Sequence, residues 1–438
     1  MRSYLGWVDF SERDRNDVLD LIRLLRKKET VDELGVGVVR DTLAEQFFPG
    51  TSTIQTRPRY LLMVPWLYQR LEGLLSRRAH YNEKLRRERE IGHRLRDYEI
   101  ELIFGLIANE TSGRGGIIGR VAKEKLERFP SNIYWAGLAR LGIRQWDMTQ
   151  SQYHRYLASR YGGSSGETLS AMFQMRKDEA DETVLARPRE MWCPQLPSPP
   201  TGFHKEVDLS LTQEEAQFLM ERVAIAAPKS LLDYLLRGDW GDVADGGVWN
   251  HPVVEIVPHE LARVVEHARC FAEVHHVAAL LYNLLLMRAK NDQEGIQDFE
   301  ERIQAWSDTL MPRWNKLQRW CSAFEDFWWL SELAPTRGRH QRSTQDHRFL
   351  SRWCDLLTGC DQPEVVMELP EAHQLLRIRE VELKGTRARL THPEALDRWK
   401  GESGTVQIAY RWGTARRFLA DVHDALRGDE EAESTEEN

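Results

Sequence analysis

Cysteine is scarce in this chain and falls without pattern: Cys193, Cys270, Cys321, Cys354 and Cys360 are odd in number and never spaced Cys-x-x-Cys. That excludes a disulfide framework and a zinc ribbon. Long apolar runs are lacking as well, with no stretch of about eighteen uncharged apolar residues, so no membrane span is expected. The opening MRSYLGWVDFSERDR has no apolar signal core. Together these absences point to a reducing cytoplasm. Strand-like words are few (WVDF, VGVV, VVEIV) and no internal repeat is found. Nucleophilic catalysis has no support, because there is no Gly-x-Ser-x-Gly elbow, no kinase signature and no protease-like cysteine context. Catalytic residues therefore stay unknown, and no cofactor is expected.

What is present is ordinary for a globular protein: 41% hydrophobic and 29% charged residues. A chain of 438 residues is too long for one ordinary core. Its net charge of -8 is concentrated at the end, where Asp429, Glu430, Glu431, Glu433, Glu436 and Glu437 leave the remaining chain at -2.

Five prolines between 188 and 200 (Pro188, Pro194, Pro197, Pro199, Pro200) forbid regular structure there. They suggest a helical N-terminal domain over 1–183, a proline-rich linker over 184–207, a helical C-terminal domain over 208–427 and a disordered acidic tail over 428–438. Thr212 to Glu215 has the form of a capping box and starts a helix. Apolar positions 261, 264, 265, 268, 271 and 272 have helical spacing after Pro258, and the pattern runs on through ALLYNLLLMRAK. A second series (Ile296, Phe299, Ile303, Trp306, Leu310, Leu317, Trp320) follows the break KNDQEG, which predicts a long antiparallel helix hairpin with a kink at Pro312. TVQIAY, 405–410, reads as a short strand, and Ala415, Phe418, Leu419 and Val422 stripe a final helix. The fold class is mainly α with few short strands.

The stretch FPGTSTIQTRPRYLLMVPWLYQRLE, 48–72, sets two arginines before an apolar helix. Pro58 suits the first helical turn, and Tyr60, Leu61, Val64, Leu67, Tyr68 and Leu71 recur at helical spacing, with Pro65 expected to bend the helix. Arg57 and Arg59 then stand at the positive end of a helix dipole, where a cation is disfavoured by roughly 0.3 to 1 kcal/mol. A counter-anion is required. Either acids of the chain supply it (Asp9, Asp32, Glu33, Asp41 or Glu45), or an external phosphate is held by Arg57, Arg59 and the hydroxyls of Thr51, Ser52, Thr53 and Thr56.

Residues 76–96 carry eight Arg or Lys against three Glu. Arg77, Arg78, Lys84, Arg86, Arg87 and Arg89 are candidate contacts to a DNA or RNA backbone, against the plainer reading of a solvated helix laced by pairs such as Glu83 with Arg87. Glycines 113, 115 and 119 mimic a phosphate loop, but the spacing fails and no Gly-Lys-[Ser/Thr] follows. Helices over about 117–128 and 132–141, with Arg114, Arg120, Lys123 and Lys125, have the outline of a helix-turn-helix or of two simply packed helices. Glu-x-x-His occurs at Glu90/His93 and Glu273/His276, but too few further ligands accompany it for a di-iron bundle, and no metal site is assigned. His267, Cys270, His275 and His276 share the long helix, with Cys270 as core. Trp328, Trp329 and Trp353 read as core or interface anchors. RGRHQR (337–342) and Arg387, Arg389, Arg411, Arg416 and Arg417 form further basic groups.

GWVDFSERDR, VDELGVGVVRD and FPGTSTIQTRPRYLLMVPW, with FPSNIYWAGLARLGI and AYRWGTARR further on, together resemble an uncharacterised bacterial family of the domain-of-unknown-function kind over most of the chain. The resemblance implies a bacterial cytosolic protein encoded among mobile-island or phage-defence genes. It brings no activity or catalytic residues to transfer.

The leading expectation is a non-enzymatic accessory protein that binds nucleic acid or a protein partner through Arg57, Arg59 and the basic helix. On that reading charge reversal at Arg57 and Arg59 abolishes salt-dependent binding and leaves the fold intact. The alternative is a divergent metal-dependent nuclease or phosphoryl-transfer effector whose acids Asp32, Glu33, Asp41 and Glu45 take a metal opposite the arginines. A purely structural scaffold is a third reading.

Overall fold

The computed structural model describes residues 32–77, 88–110, 115–162, 190–238, 240, 246–330, 344–399, 401 and 403–436. Along the chain run α1 (Gly37–Phe47), α2 (Tyr60–Arg77), α3 (Glu88–Ala108), α4 (Pro130–Arg140), α5 (Gln150–Gly162), α6 (Gln213–Ala226) and α7 (Leu231–Arg237). Then come α8 (His259–Lys290), α9 (Gln293–Leu310), α10 (Trp314–Ser322), α11 (Phe324–Leu330), α12 (Thr344–Thr358), α13 (Pro370–Lys384) and α14 (Trp412–Glu436). The fold is mainly α. Among the described residues there is no strand, only an isolated antiparallel bridge between Arg144 and Trp192.

The strand-like words resolve otherwise. VGVV enters α1, VVEIV holds a short helix (Val253–Ile256), and TVQIAY is irregular. β-branched residues favour strands only where a partner strand offers a surface to pack on. WVDF lies outside the described residues.

The chain forms two compact units, one from residues up to Leu43 with Pro258–Tyr410, the other from Ala44–Val257 with the segment from Arg411 onward. This corrects the boundary read from the prolines. The described part of that stretch belongs inside the second unit: Met191, Trp192 and Cys193 are buried, and Pro197 C=O accepts the Trp66 indole N–H at 2.7 Å. Proline forbids a hydrogen-bonded ladder, yet its carbonyl and ring still pack. The final helix also runs on to Glu436, through the stretch expected to be disordered.

In the unit containing Pro258–Tyr410, α8 follows Pro258 and pairs with α9 as the expected hairpin. Asn291 closes α8 in the left-handed region at φ 56°, and Asp292 opens α9 by accepting the Gly295 N–H at 3.1 Å. Pro312 sits in a 3₁₀ turn that separates α9 from α10. By length and composition α8 is apolar enough to cross a bilayer, but 94% of its most apolar window is buried, as in a core helix. Trp353 lies fully buried, its indole N–H on Val274 C=O at 3.1 Å. The segment 33–35 is stitched to α13: Arg379 donates to Leu34 C=O at 2.9 Å, and Glu33 pairs with Lys384 and Arg389.

In the other unit, every residue from Tyr60 to Tyr68 is buried. The first turns of α2 are thus enclosed on all sides by α3, α4, α5 and the proline-rich loop, a fuller burial than the one-sided stripe inferred from spacing. Helices α6, α7 and α14 pack together.

The hairpin turn generates a test. Asn291→Val forces a β-branched residue into the left-handed region and is expected to lower stability by about 1–2 kcal/mol in urea denaturation, whereas Asn291→Gly is tolerated.

Candidate functional site

Arg57 and Arg59 are both buried, and the chain supplies their counter-charges. Arg57 Nε meets Asp421 Oδ2 at 2.5 Å with both side chains about 3% exposed, and Arg57 Nη1 donates to Gly115 C=O at 3.0 Å. Arg59 donates to Asp208 Oδ1 at 2.9 Å and Glu215 Oε1 at 2.8 Å. Glu215 is doubly used: its other oxygen accepts Thr212 N–H at 3.1 Å, closing the capping box that starts α6. Charge-assisted bonds of this kind are the strong class.

The acids named from the sequence are engaged elsewhere. Asp32 accepts the amides of Val36 and Gly37, Glu33 holds Lys384 and Arg389, Asp41 pairs with Arg40, and Glu45 bridges Arg140 and Arg411. Asp9 lies outside the described residues. Each of the other four is taken up separately, and among the described residues no group of three or more His, Cys, Asp or Glu is placed to hold a metal ion.

The hydroxyl run serves the same junction. Thr51 Oγ1 bonds Phe48 C=O at 2.7 Å, Thr56 Oγ1 bonds Gly116 C=O at 2.7 Å, Ser52 is half-buried and Thr53 is exposed. Tyr134 gathers the loop: its hydroxyl accepts the amides of Thr56 and Arg57 at 2.9 and 3.1 Å and donates to Arg57 C=O at 2.8 Å. Burial pushes this phenol up to about 12. One face of α14 reads the loop from the other side. Thr414, Arg417 and Asp421, spaced by three and four residues, reach Ser52 C=O, Gln55 C=O and Arg57, while Arg411 bonds Thr51 C=O at 2.7 Å. Two glycines allow the close approach. A Cβ on Gly116 (φ 92°) would come within 2.7 Å of Arg57 Cγ, and one on Gly137 would strike Gly50 C=O.

The basic stretch is placed differently. Arg89 is exposed on the first turn of α3, Arg94 pairs loosely with Asp97 at 3.7 Å, and Arg96 donates to Glu124 C=O at 3.1 Å. Arg78, Lys84, Arg86 and Arg87 lie outside the described residues, as does the Arg77 side chain. RGRHQR and Arg114 also lie outside. The helix-turn-helix outline is corrected: only α4 forms, and the segment before it is a run of turns with one 3₁₀ turn at Lys123–Lys125. Gly115, Gly116, Gly119 and Lys123 all have positive φ, which no α-helix accommodates.

The other constellations are structural. Glu273 is held by Arg269 and Arg313, His267 accepts the Trp320 indole at 2.8 Å, and Cys270 is core. Trp328 and Trp353 are buried, and the Trp329 side chain lies outside the described residues.

A second network went unseen in the sequence. Glu99, 2% exposed on α3, accepts the Ser131 N–H at 2.7 Å and hydroxyl at 3.1 Å near the start of α4. Gln150 donates to Ser131 Oγ and Tyr68 OH, and Tyr68 OH meets His154 at 2.9 Å. Burial pushes Glu99 up, the Ser131 donors pull it down, and it settles at about 8. A lone Glu between Tyr98 and Ile100 carries no motif, so only the tertiary packing reveals it.

Two tests follow. Removing one partner of the Arg57–Asp421 pair, as in Asp421→Leu or Arg57→Met, is expected to cost about 3–5 kcal/mol, and the double variant Arg57→Met/Asp421→Leu less than the sum, as a double-mutant cycle in denaturant would measure. For Glu99, the folded value lies above the ordinary carboxylate value, so its contribution is complete below pH about 4.5 and is lost as pH rises through about 8. Glu99→Gln is expected to flatten the fall in melting temperature across that window.

Searches of curated proteins and of solved structures found no match. The match to a family model, running over residues 2–426, covers the buried junction, both units and the basic stretch alike: the chain belongs to the family of unknown function DUF6361.

Proposed function

We propose that the protein is a non-enzymatic accessory factor that binds nucleic acid through the basic stretch 77–96, with the Arg57–Arg59 junction as the internal clamp that holds the fold. One observation carries the division of labour: Arg57 and Arg59 are buried on carboxylates, while Arg89 stands exposed where the basic stretch runs into α3. Burial removes the first pair from any phosphate, and exposure leaves Arg89 free to meet one. Glu88, Glu90 and Asp97 share the turns of α3 with Arg89, Arg94 and Arg96, so the positive excess comes from residues 77–87. The bacterial phage-defence setting implied by the resemblance belongs to the same proposal.

This reading reverses the expected result at the buried pair. Charge reversal of Arg57 and Arg59 is expected to unfold the unit that contains them, so binding is tested elsewhere. Fluorescence anisotropy with mixed-sequence DNA and RNA should show affinity falling steeply with salt. Arg89→Ala should lower the slope of log affinity against log salt by about one with melting unchanged. Absent or salt-insensitive binding would overturn the proposal.

A further inference from the structure

One side of α13 packs inward on α8 and α12 through Ala372, Leu376, Arg379 and Glu380. Its outward side is not polar throughout, as a solvated face would be. Ile378 and Val381, one turn apart, are 42% and 41% exposed, and Leu383 is 38% exposed. Gln374, Arg377 and Glu382 share that side.

The described chain begins beside this helix. Glu33 pairs with Lys384, and Arg379 donates to Leu34 C=O at 2.9 Å and to Gly35 C=O at 3.2 Å. Leu383 stands so close to Gly35 that a Cβ there would come within 2.8 Å of it. Asp32 is fixed next to them, its carboxylate accepting the Val36 N–H at 3.0 Å. Residues 1–31 lie outside the described residues.

The sequence of that segment carries a helix pattern of its own. Ser11-Glu12-Arg13-Asp14 has the form of a capping box, and Val18, Leu21, Ile22 and Leu25 recur at helical spacing. Arg26, Lys27 and Lys28 suit a last turn, and no proline or glycine interrupts 12–28. A helix of this length is marginal alone in water, so its apolar stripe requires a partner surface. From Lys28 to the anchored Asp32 the chain spans at most about 13 Å, which limits the search to the neighbourhood of the last turns of α13.

We propose that the outward face of α13 is the docking site of the chain's own segment 12–28, with Leu25 toward Val381 and with Leu21 and Ile22 toward Ile378. Charge agrees with the placement: Arg26 and Lys28 flank the stripe of the segment, and Glu382 borders that of α13. The short tether makes the encounter intramolecular, at an effective concentration on the order of mM, so a small apolar contact suffices. The proposal is independent of nucleic-acid binding.

The test is limited trypsin digestion of the full folded chain, because Arg26, Lys27 and Lys28 lie within the segment and are cut when it opens. Cleavage there is expected to be at least tenfold slower in the unaltered chain than in Ile378→Asp/Val381→Asp, which alters exposed positions and leaves the inward face of α13 intact. Leu21→Asp/Leu25→Asp is expected to release the site to the same degree, and all four substitutions together to add nothing more. Should the α13 variant fail to fold, Ile378→Gln/Val381→Gln takes its place. Equal cleavage in the unaltered chain and both variants would overturn the proposal, and so would protection that survives the α13 substitutions. Sedimentation velocity addresses the rival occupant: a dimer lost in Ile378→Asp/Val381→Asp but kept in Leu21→Asp/Leu25→Asp would give the face to a second copy of the chain and also overturn it.

Discussion

The unit built from Ala44–Val257 and the final helix depends on one buried ion pair, Arg57 with Asp421. Two charges about 3% exposed have lost their hydration, and only their mutual approach and added hydrogen bonds repay it. Everything around the pair serves that end. Gly115 C=O occupies a second guanidinium nitrogen, Tyr134 fixes the backbone on which Arg57 rides, and Gly116 lacks the Cβ that would push the side chain aside. Arg59, two residues on, ties the same loop to Asp208 and to the capping glutamate of α6. A loop rich in Thr, Ser and Gly is tied to the rest of the unit through Thr56, Arg57 and Arg59.

How much of this the sequence disclosed follows from what can be local. The hairpin of α8 and α9 was legible because apolar spacing, Pro258 and the polar break at 290–295 all lie within the segment they describe. The capping box was legible for the same reason. That Arg57 and Arg59 need an anion was legible from their position ahead of a helix, but the identity of the anion was not. Asp421 lies 364 residues away and Glu215 lies 156 away, distances over which no spacing rule operates. The misread elements have a common cause. β-branched words, glycine-rich turns and prolines were given their average meaning, while packing set the meaning of VGVV, of the turns before α4 and of the stretch ending at Pro200.

Burial also redistributes chemical roles. The residues most conspicuous in the sequence hold the fold, and the least conspicuous ones, Glu99, Ser131 and His251, occupy interior positions where protonation or donor direction is fixed by neighbours. The carboxylate at Glu99 and the imidazole at His251 both favour their neutral forms because burial opposes charge on either. The charged pairs Arg57–Asp421 and Arg59–Glu215 sit in the same interior with opposite charges within bonding distance.

The order of segments in the unit has a temporal consequence. A ribosome exposes Arg57 long before it polymerises Asp421, and at about 5–20 residues per second the interval is roughly 20 to 70 seconds. Until then the nascent loop carries a cation without its carboxylate, and the interior that α14 seals stays open to water. Completion of this unit is therefore held until Asp421 and the helix that carries it have been made.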